Sequence, residues 1–432
     1  MTKSGLTTAT ALAGLAMLAA GFGPAPAQAQ DCTYKIGSVL SLTGSYGAFG
    51  VPISKAAQLA VEQVDEARGD IGCALVYDVR DSQTQASVAV DSARKLIDLE
   101  GVTALVGPIS SGITAPLLTS VTLEEDVLVI ATASTSSTFT NMGRSGETKG
   151  LFFRTLPADS LQAVATAKMA WDAGFRNPAV IYLNNDWGVN NQAEFVAAFE
   201  ALGGTVADSV AYNADQASYR SEVNKALEGG PDAVYLLSTP QDGRKIFREW
   251  VRFEGPSGYI LAQGMNDEAF TGDLTDDLLA NAWFITPGTP EPSSVDRMER
   301  DMQARWEISA AGPGRASGYD AGALIALAHV AAAIDGAGHD GPTLAQYVRE
   351  LTGPEGEPFF ADLDGYRKAI AALQEGRKTR YIGPTGPVQF DAYGDVAVPF
   401  IGQQFRNGEY ENLMQISLDD VRAIKAEVSG GN

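Results

Sequence analysis

The sequence predicts an α/β protein of two doubly wound, Rossmann-like lobes. Three observations predict it. Short apolar runs alternate with amphipathic stretches from residue 34 to residue 286, as a mostly parallel sheet covered by helices on both faces requires. The alternation restarts after residue 150, so two sheets are expected. The chain has 432 residues, 45% apolar and 19% charged, enough for two or three sizeable cores.

Residues 34–42 read as the first strand, followed by a Gly-rich loop at 43–50 (TGSYGAFG). Residues 53–68 read as a helix, with Ala56, Ala57, Leu59, Ala60 and Val64 on one face. Next come a strand at 74–79, a helix at 85–100 stopped by Gly101, and a short buried strand at 103–106. A helix at 115–125 has Pro116 near its start, where a missing N–H costs little, and 127–131 is a strand. The second series runs strand 151–156, helix 159–173, strand 179–183, helix 190–202, strand 205–210, helix 219–228, strand 233–237 and helix 241–253. Strands at 259–262 and 282–286 complete it. Pro157, Pro287 and Pro290 punctuate the places where the chain can cross between lobes. Beyond residue 286 the pattern turns helical at 295–306, 319–334 and 343–351, the Ala-rich second of these suited to covering a sheet face. The Gly/Pro-rich stretch 353–386 carries one helix, at 366–374, and 388–413 reads as short strands with turns at 393–394 and 407–408.

Composition excludes several chemistries. Thirty-one basic residues against 53 acidic give a net charge of -22, which repels phosphates and so excludes nucleic acid as a partner. The two histidines are too few for a His-rich metal site and are the only ones a catalytic triad could use. His329 lies in an apolar helical run and His339 in a Gly-rich loop, and no Gly-x-Ser-x-Gly elbow is present. No catalytic residue, metal or cofactor is therefore assigned, and an enzyme is not expected.

The N-terminus reads as a secretory signal. Lys3 precedes an apolar stretch at 6–22, and Ala27-Gln28-Ala29 fits a small-x-small cleavage site, so cleavage is expected after Ala29. Polar, Pro-rich sequence follows at once, unlike a membrane span. A lipoprotein anchor at Cys32 would need a small residue where Asp31 stands. Export permits a disulfide. Cys32 and Cys73 each precede a candidate strand; if those strands are parallel neighbours, the two lie at one sheet edge. A bridge there closes a loop of roughly 40 residues and contributes about 3–4 kcal/mol in the chain-entropy model; two separate thiols are the alternative.

Ligands in open parallel sheets bind beyond the C-terminal ends of the strands. The loops there are 43–50, with two aromatics among glycines, 107–112 (GPISSG) and 131–138 (ATASTSST). The last two are uncharged, hydroxyl-rich and placed before helices. Such hydroxyls and backbone N–H groups can hold a small carboxylate without Arg, or can simply cap the helices. In the second lobe, 184–188 (NNDWG) places Trp187 after a strand, either as packing or as a flat wall for a ligand. The stretches 238–240 and 263–267 occupy equivalent places.

The ordered set IGSVLSLTGSYGAFG (36–50), 78–81, LVGPISSGITA (105–115), Asp186-Trp187-Gly188, PDAVY (231–235), 319–321 and GPTGPVQFD (383–391) resembles the periplasmic solute-binding proteins of branched-chain amino-acid ABC transporters. The resemblance implies a type I periplasmic binding protein fold, with three crossovers forming the hinge, and an inner-membrane permease as partner. The expected lobes are 30–155 plus 287–388 and 156–286 plus 389–432, after a signal at 1–29. By position the resemblance implies Phe49 as an aromatic over the ligand and Ser111, Ala133 and Thr135 at its carboxylate, beside Ser110 and Ser134 of the same loops. It places Trp187 and Thr239 where the family has Tyr. The family's ammonium-binding acid falls at Gly264, leaving Asp267 or Asp242 as substitutes. The expected function is a periplasmic carrier of a small amino acid for an ABC importer. The alternatives are an amide, urea, or a simple or aromatic carboxylate as ligand, or a ligand-sensing module.

Overall fold

A computed structural model describes residues 1–2, 5, 32–272, 274–288, 292–309 and 312–430. The apolar stretch 6–22, the cleavage site at Ala29 and Pro290 lie outside them. Met1–Cys32 forms a unit of its own, and the architecture below is that of Thr33 onward.

Five strands, β1 (Thr33–Leu40), β2 (Ala74–Asp81), β3 (Ala104–Val106), β4 (Leu128–Ala131) and β5 (Phe152–Arg154), form a wholly parallel sheet in the order β2-β1-β3-β4-β5. A second sheet contains β6 (Ala179–Leu183), β7 (Ser209–Tyr212), β8 (Val234–Leu237), β9 (Tyr259–Leu261) and β10 (Ala282–Pro287), all parallel. A small third sheet, β11 (Glu357–Phe360), β12 (Thr379–Gly383) and β13 (Gly386–Pro387), lies in the Gly/Pro-rich stretch. The antiparallel strands β14 (Phe400–Arg406) and β15 (Glu409–Ile416) then extend the second sheet to the order β15-β14-β10-β9-β8-β6-β7. The chain thus passes between the two large sheets after β5, after β10 and between β13 and β14, which is the doubly wound, triply connected α/β fold expected.

Each sheet builds its own core. Around the first, residues of β1–β5 pack with the helices Val295–Trp306, Arg315–Asp335 and Gly341–Leu351 in one cluster. The second sheet has a cluster on each face, drawn from residues 163–285 and from Phe400, Ile416, Val421 and Ile424. Strands so enclosed on both faces are continuously apolar (Leu-Val-Ile-Ala in β4, Val-Tyr-Leu-Leu in β8), and every residue of both is buried.

Several expectations shift. Residues 152–154, read as the head of the second series yet inside the lobe expected to run to 155, close the first sheet by pairing with β4. The strand expected at 205–210 begins only at Ser209, because Thr205 and Ala207 donate outside the ladder, to the Arg176 and Pro178 carbonyls. The helix expected at 190 starts at Asp186, because the Asn185 side chain accepts from Gly188 N at 2.9 Å and caps it there. The helix expected at 53 starts at Gly47, and the one expected at 115–125 runs over Ser111–Leu117 before a π-turn at Leu118–Thr122. Three of these early starts bring Phe49, Ser111 and Trp187 onto first helical turns. The small sheet and the closing helix Leu418–Gly430 were not expected at all.

Both cysteines are disulfide-bonded and, being the only two, to each other. The register explains the pairing, since Thr33 lies beside Ala74 in parallel strands. The helix Arg315–Asp335 is long and apolar enough to cross a membrane (mean hydropathy 1.3), yet 89% of that stretch is buried. It is the central core helix. Its Gly318 and Gly322 let it lie on the helix Gly47–Arg68: a Cβ on Gly322 would stand 2.7 Å from the Ala57 carbonyl oxygen, and one on Gly318 2.9 Å from that of Ile53. This contact packs the segment after the second crossover against the helix that follows β1. Gly322→Ala is expected to force the two helices apart and to lower stability by about 1–3 kcal/mol, as overpacking does, read by urea unfolding.

Candidate functional site

A cavity of about 60 Å³ lies between the C-terminal ends of the parallel strands of the two large sheets. The first sheet contributes Tyr46, Phe49 and Ile53 after β1, Ile109, Ser110 and Ser111 after β3, and Ala133 and Thr135 after β4. The second sheet contributes Trp187 after β6, Ser238 after β8, and Gln263 and Gly264 after β9; Leu156 and Gln162 come from the first crossover and its helix, and Pro313 and Gly314 close the wall. No charged side chain is among these lining residues. A second cavity of about 230 Å³ adjoins it on the crossover side, sharing Leu156, Gln263, Pro313 and Gly314.

The lobe-one loops are held by buried polar contacts. Arg154, the last residue of β5, is fully buried. Its Nε donates to Asp395 Oδ1 at 2.6 Å, its Nη1 to the Ser134 and Ser136 carbonyls at 3.2 and 2.8 Å, and its Nη2 to Thr140 Oγ1 at 2.7 Å. The carbonyl between them, that of Thr135, accepts from Asp159 N at 2.7 Å. Three successive carbonyls thus face away from the cavity. Ser136 N donates to Ser111 Oγ at 3.2 Å, which leaves the Ser111 hydroxyl its own proton to give.

Of the residues singled out in sequence, Phe49, Ser110, Ser111, Ala133, Thr135 and Trp187 line the cavity. Three others do not. Ser134 is fully buried against the Pro108 and Ile109 carbonyls, 3.2 Å from each, and Thr114 Oγ1, at 2.6 Å, so it ties two loops together. Thr239 caps the helix Pro240–Arg252 by accepting from Asp242 N. Asp267 caps a short helix through Ala269 N at 2.9 Å and lies 3.5 Å from Arg315 Nη2. Asp242, the other substitute acid, is buried and accepts from Asp215 N at 3.2 Å. Gly264 has φ +96, a left-handed backbone that glycine adopts freely, and a Cβ there would stand 3.6 Å from the Phe49 ring.

Sequence reasoning missed Gln162, and it reached Tyr46, Ser238 and Gln263 only as members of the strand-end stretches 43–50, 238–240 and 263–267, not as site residues. Tyr46 stands in the same Gly-rich loop as Phe49, and Ser238 and Gln263 directly follow β8 and β9, so the strand-end position that marks the stretch also marks the residue. Gln162 lies on a helix in the first crossover, where no strand-end rule points. Burial raises the pKa of the Tyr46 hydroxyl, partly offset by the Asn185 amide beside it. Burial also pushes Asp159 up to about 7, against the hydrogen bond from Asn191, the neighbouring Thr135 hydroxyl and the charge of Arg154.

The lobes touch across the cleft. Thr138 Oγ1 donates to Asp186 Oδ1 at 2.9 Å, Ser137 Oγ to Glu194 Oε1 at 3.0 Å, and Arg315 approaches Asp267. The arrangement can enclose a small polar molecule, and among the described residues no His, Cys, Asp and Glu cluster could hold a metal.

Two lobes of this topology around an interlobe cavity define a solute-binding protein of the bilobal α/β class. The chain belongs to the Periplasmic binding protein family, whose profile it matches over residues 33–397. It is similar to the chemotactic signal transduction system substrate-binding protein BasB of Halobacterium salinarum, 27% identical over 87% of this chain and 88% of the relative. It is also similar to the Leu/Ile/Val-binding protein BraC3 of Rhizobium johnstonii, 28% identical over 65% of this chain and 69% of the relative. Among solved structures, the fold matches the branched-chain amino acid transporter substrate-binding protein LivJ of Streptococcus pneumoniae with isoleucine (TM-score 0.71, 19% identity, 89% of this chain and 100% of that one). It also matches an ABC transporter solute-binding protein of R. palustris with benzoate (TM-score 0.65, 17% identity, 89% and 97%).

Arg154→Leu is expected to leave Asp395 buried without its partner and to cost about 3–5 kcal/mol in urea unfolding.

Proposed function

We propose that this chain is the exported solute-binding component of an ABC importer and that its cleft holds a small amino acid, branched-chain or related. One observation carries the reading: two hydroxyl-bearing strand-end loops of one sheet face an aromatic wall from the other across an uncharged cavity. The hydroxyls of Ser111 and Thr135, with the backbone of 133–135, would hold the ligand carboxylate. Phe49, Ile53, Ile109 and Trp187 would enclose its side chain, which apolar contact favours by about 25 cal/mol per Å² buried. The family, the disulfide and the N-terminal signal pattern support residence in the periplasm, with an inner-membrane permease as partner. The family consists of binding proteins, and the site offers no nucleophile paired with a base, which supports binding without turnover.

A second reading has a specific observation behind it. Among the described residues no acidic side chain lines the cavity, which favours a carboxylate without an ammonium group, such as an aromatic acid. The likeness to BasB supports sensing as the use of binding, by a partner protein in place of a permease.

Isothermal titration with leucine, isoleucine and valine, then with amides, urea and benzoate, tests the reading. Binding to the branched-chain amino acids is expected. Ser111→Ala with Thr135→Ala should weaken it by about a hundredfold or more, since each lost hydrogen bond to a charged group costs roughly 1.5–3 kcal/mol. Tight binding of benzoate alone would replace this reading with the second, and unchanged affinity in the double variant would overturn the assignment of the carboxylate site.

A further inference from the structure

The helix Asp159–Asp172 begins just after the first crossover, and its first turn faces the cleft. Gln162 lies three residues after Asp159, hence on the same face of that helix. Gln162 is 1% exposed and lines the cavity, yet its Oε1 has no hydrogen-bond partner. Asp159 is fully buried; its Oδ1 accepts from Asn191 Nδ2 at 2.8 Å, and its Oδ2 has no partner. Asn191 is itself held by Tyr235, whose hydroxyl donates to Asn191 Oδ1 at 2.9 Å. That chain fixes the Asp159 carboxyl in place.

Buried polar groups are almost always paired, and those that are not call for a missing partner. Two oxygens without partners lie one helical turn apart, one of them on the cavity wall. Among the described residues the opposite wall brings no carboxylate to the cavity lining: Gly264 has no side chain, and Asp267 and Asp242 are hydrogen-bonded outside it.

We infer that Gln162, backed by Asp159, is the specificity-determining seat for the N–H donors of the ligand: an ammonium or primary amide nitrogen hydrogen-bonds to Gln162 Oε1. The inference rests on the amino-acid reading above and deepens it. A ligand carrying a carboxylate alone leaves these oxygens unpaired when it displaces water, and the cleft discriminates against it.

The test compares L-leucine with its des-amino analogue 4-methylpentanoate by isothermal titration, on the wild type, Gln162→Leu and Gln162→Glu. Wild type is expected to bind L-leucine at least about tenfold more tightly than 4-methylpentanoate. Gln162→Leu should lose most of that preference by weakening L-leucine alone, and Gln162→Glu, which keeps the acceptor, should restore it. Equal affinity of the wild type for the two compounds, or equal weakening of both by Gln162→Leu, overturns the inference and leaves the carboxylate site standing. A wild type that binds neither overturns the branched-chain reading together with this inference. If Gln162→Leu does not fold, the wild-type comparison still decides, because a seat for N–H donors requires the preference.

Discussion

The loop that forms one wall of the cleft depends on a single buried cation. A guanidinium deep in a core is tolerable only if it is neutralised and most of its N–H groups are taken up. Arg154 meets that demand with the Asp395 carboxylate, the Thr140 hydroxyl and the carbonyls of Ser134 and Ser136. The consequences run outward from there. Because Arg154 ends β5 and Asp395 lies in the segment between β13 and β14, the pair joins the start of the first crossover to the third. Because the loop's carbonyls are drawn toward Arg154 and Asp159, the loop can turn N–H groups and hydroxyls toward the cleft. A cation that never lines the cavity therefore sets the cavity's polarity.

The same pairing accounts for the neutrality of the cavity in a chain of net charge -22. Exposed acids can repel anions at a distance, yet water and salt screen them within about 8–10 Å. A small carboxylate can be held locally by hydroxyls and amides without a basic residue, as helix starts do elsewhere. The charges needed to build the site lie one layer behind it, in Arg154, Asp395 and Asp159, all buried and hydrogen-bonded.

Much of this was legible in the sequence, and the reasons differ by element. Parallel strands enclosed on both faces are continuously apolar, so β1, β4, β6 and β8 declared themselves, and the strand-end rule then located Ser111, Thr135 and Trp187. Helix starts were less legible. Capping by Asn185 and the entry at Gly47 are set by side-chain to backbone bonds that periodicity does not register, and the apolar stripe begins only a turn later. The small sheet at β11–β13 was hidden because its strands are short and lie among Gly and Pro. Thr239 and Asp267 cap helices and lie outside the cavity lining: a Ser, Thr or Asp before a helix serves as a cap and as a ligand group with equal fitness. Only the geometry shows which use its oxygen has found. Gln162 was invisible because its role comes from where the first crossover folds back, a tertiary fact.

Closure of such a cleft must be easily reversed if the solute is to be delivered. The polar bridges between the lobes, Thr138 to Asp186, Ser137 to Glu194 and Arg315 to Asp267, are each worth only about 1 kcal/mol or less where solvent reaches them. Set against the entropy of fixing two lobes, they hold the closed form weakly. A solute that contacts both sheets adds free energy to the closed form alone, which is the condition for a ligand to shift such an equilibrium. Trp187 and Gln263 from one sheet, and Ser111 and Phe49 from the other, can supply those contacts only when the lobes are together. If the cleft binds a solute as proposed, the identity of that solute, and not the strength of the protein's own bridges, decides how long it stays shut.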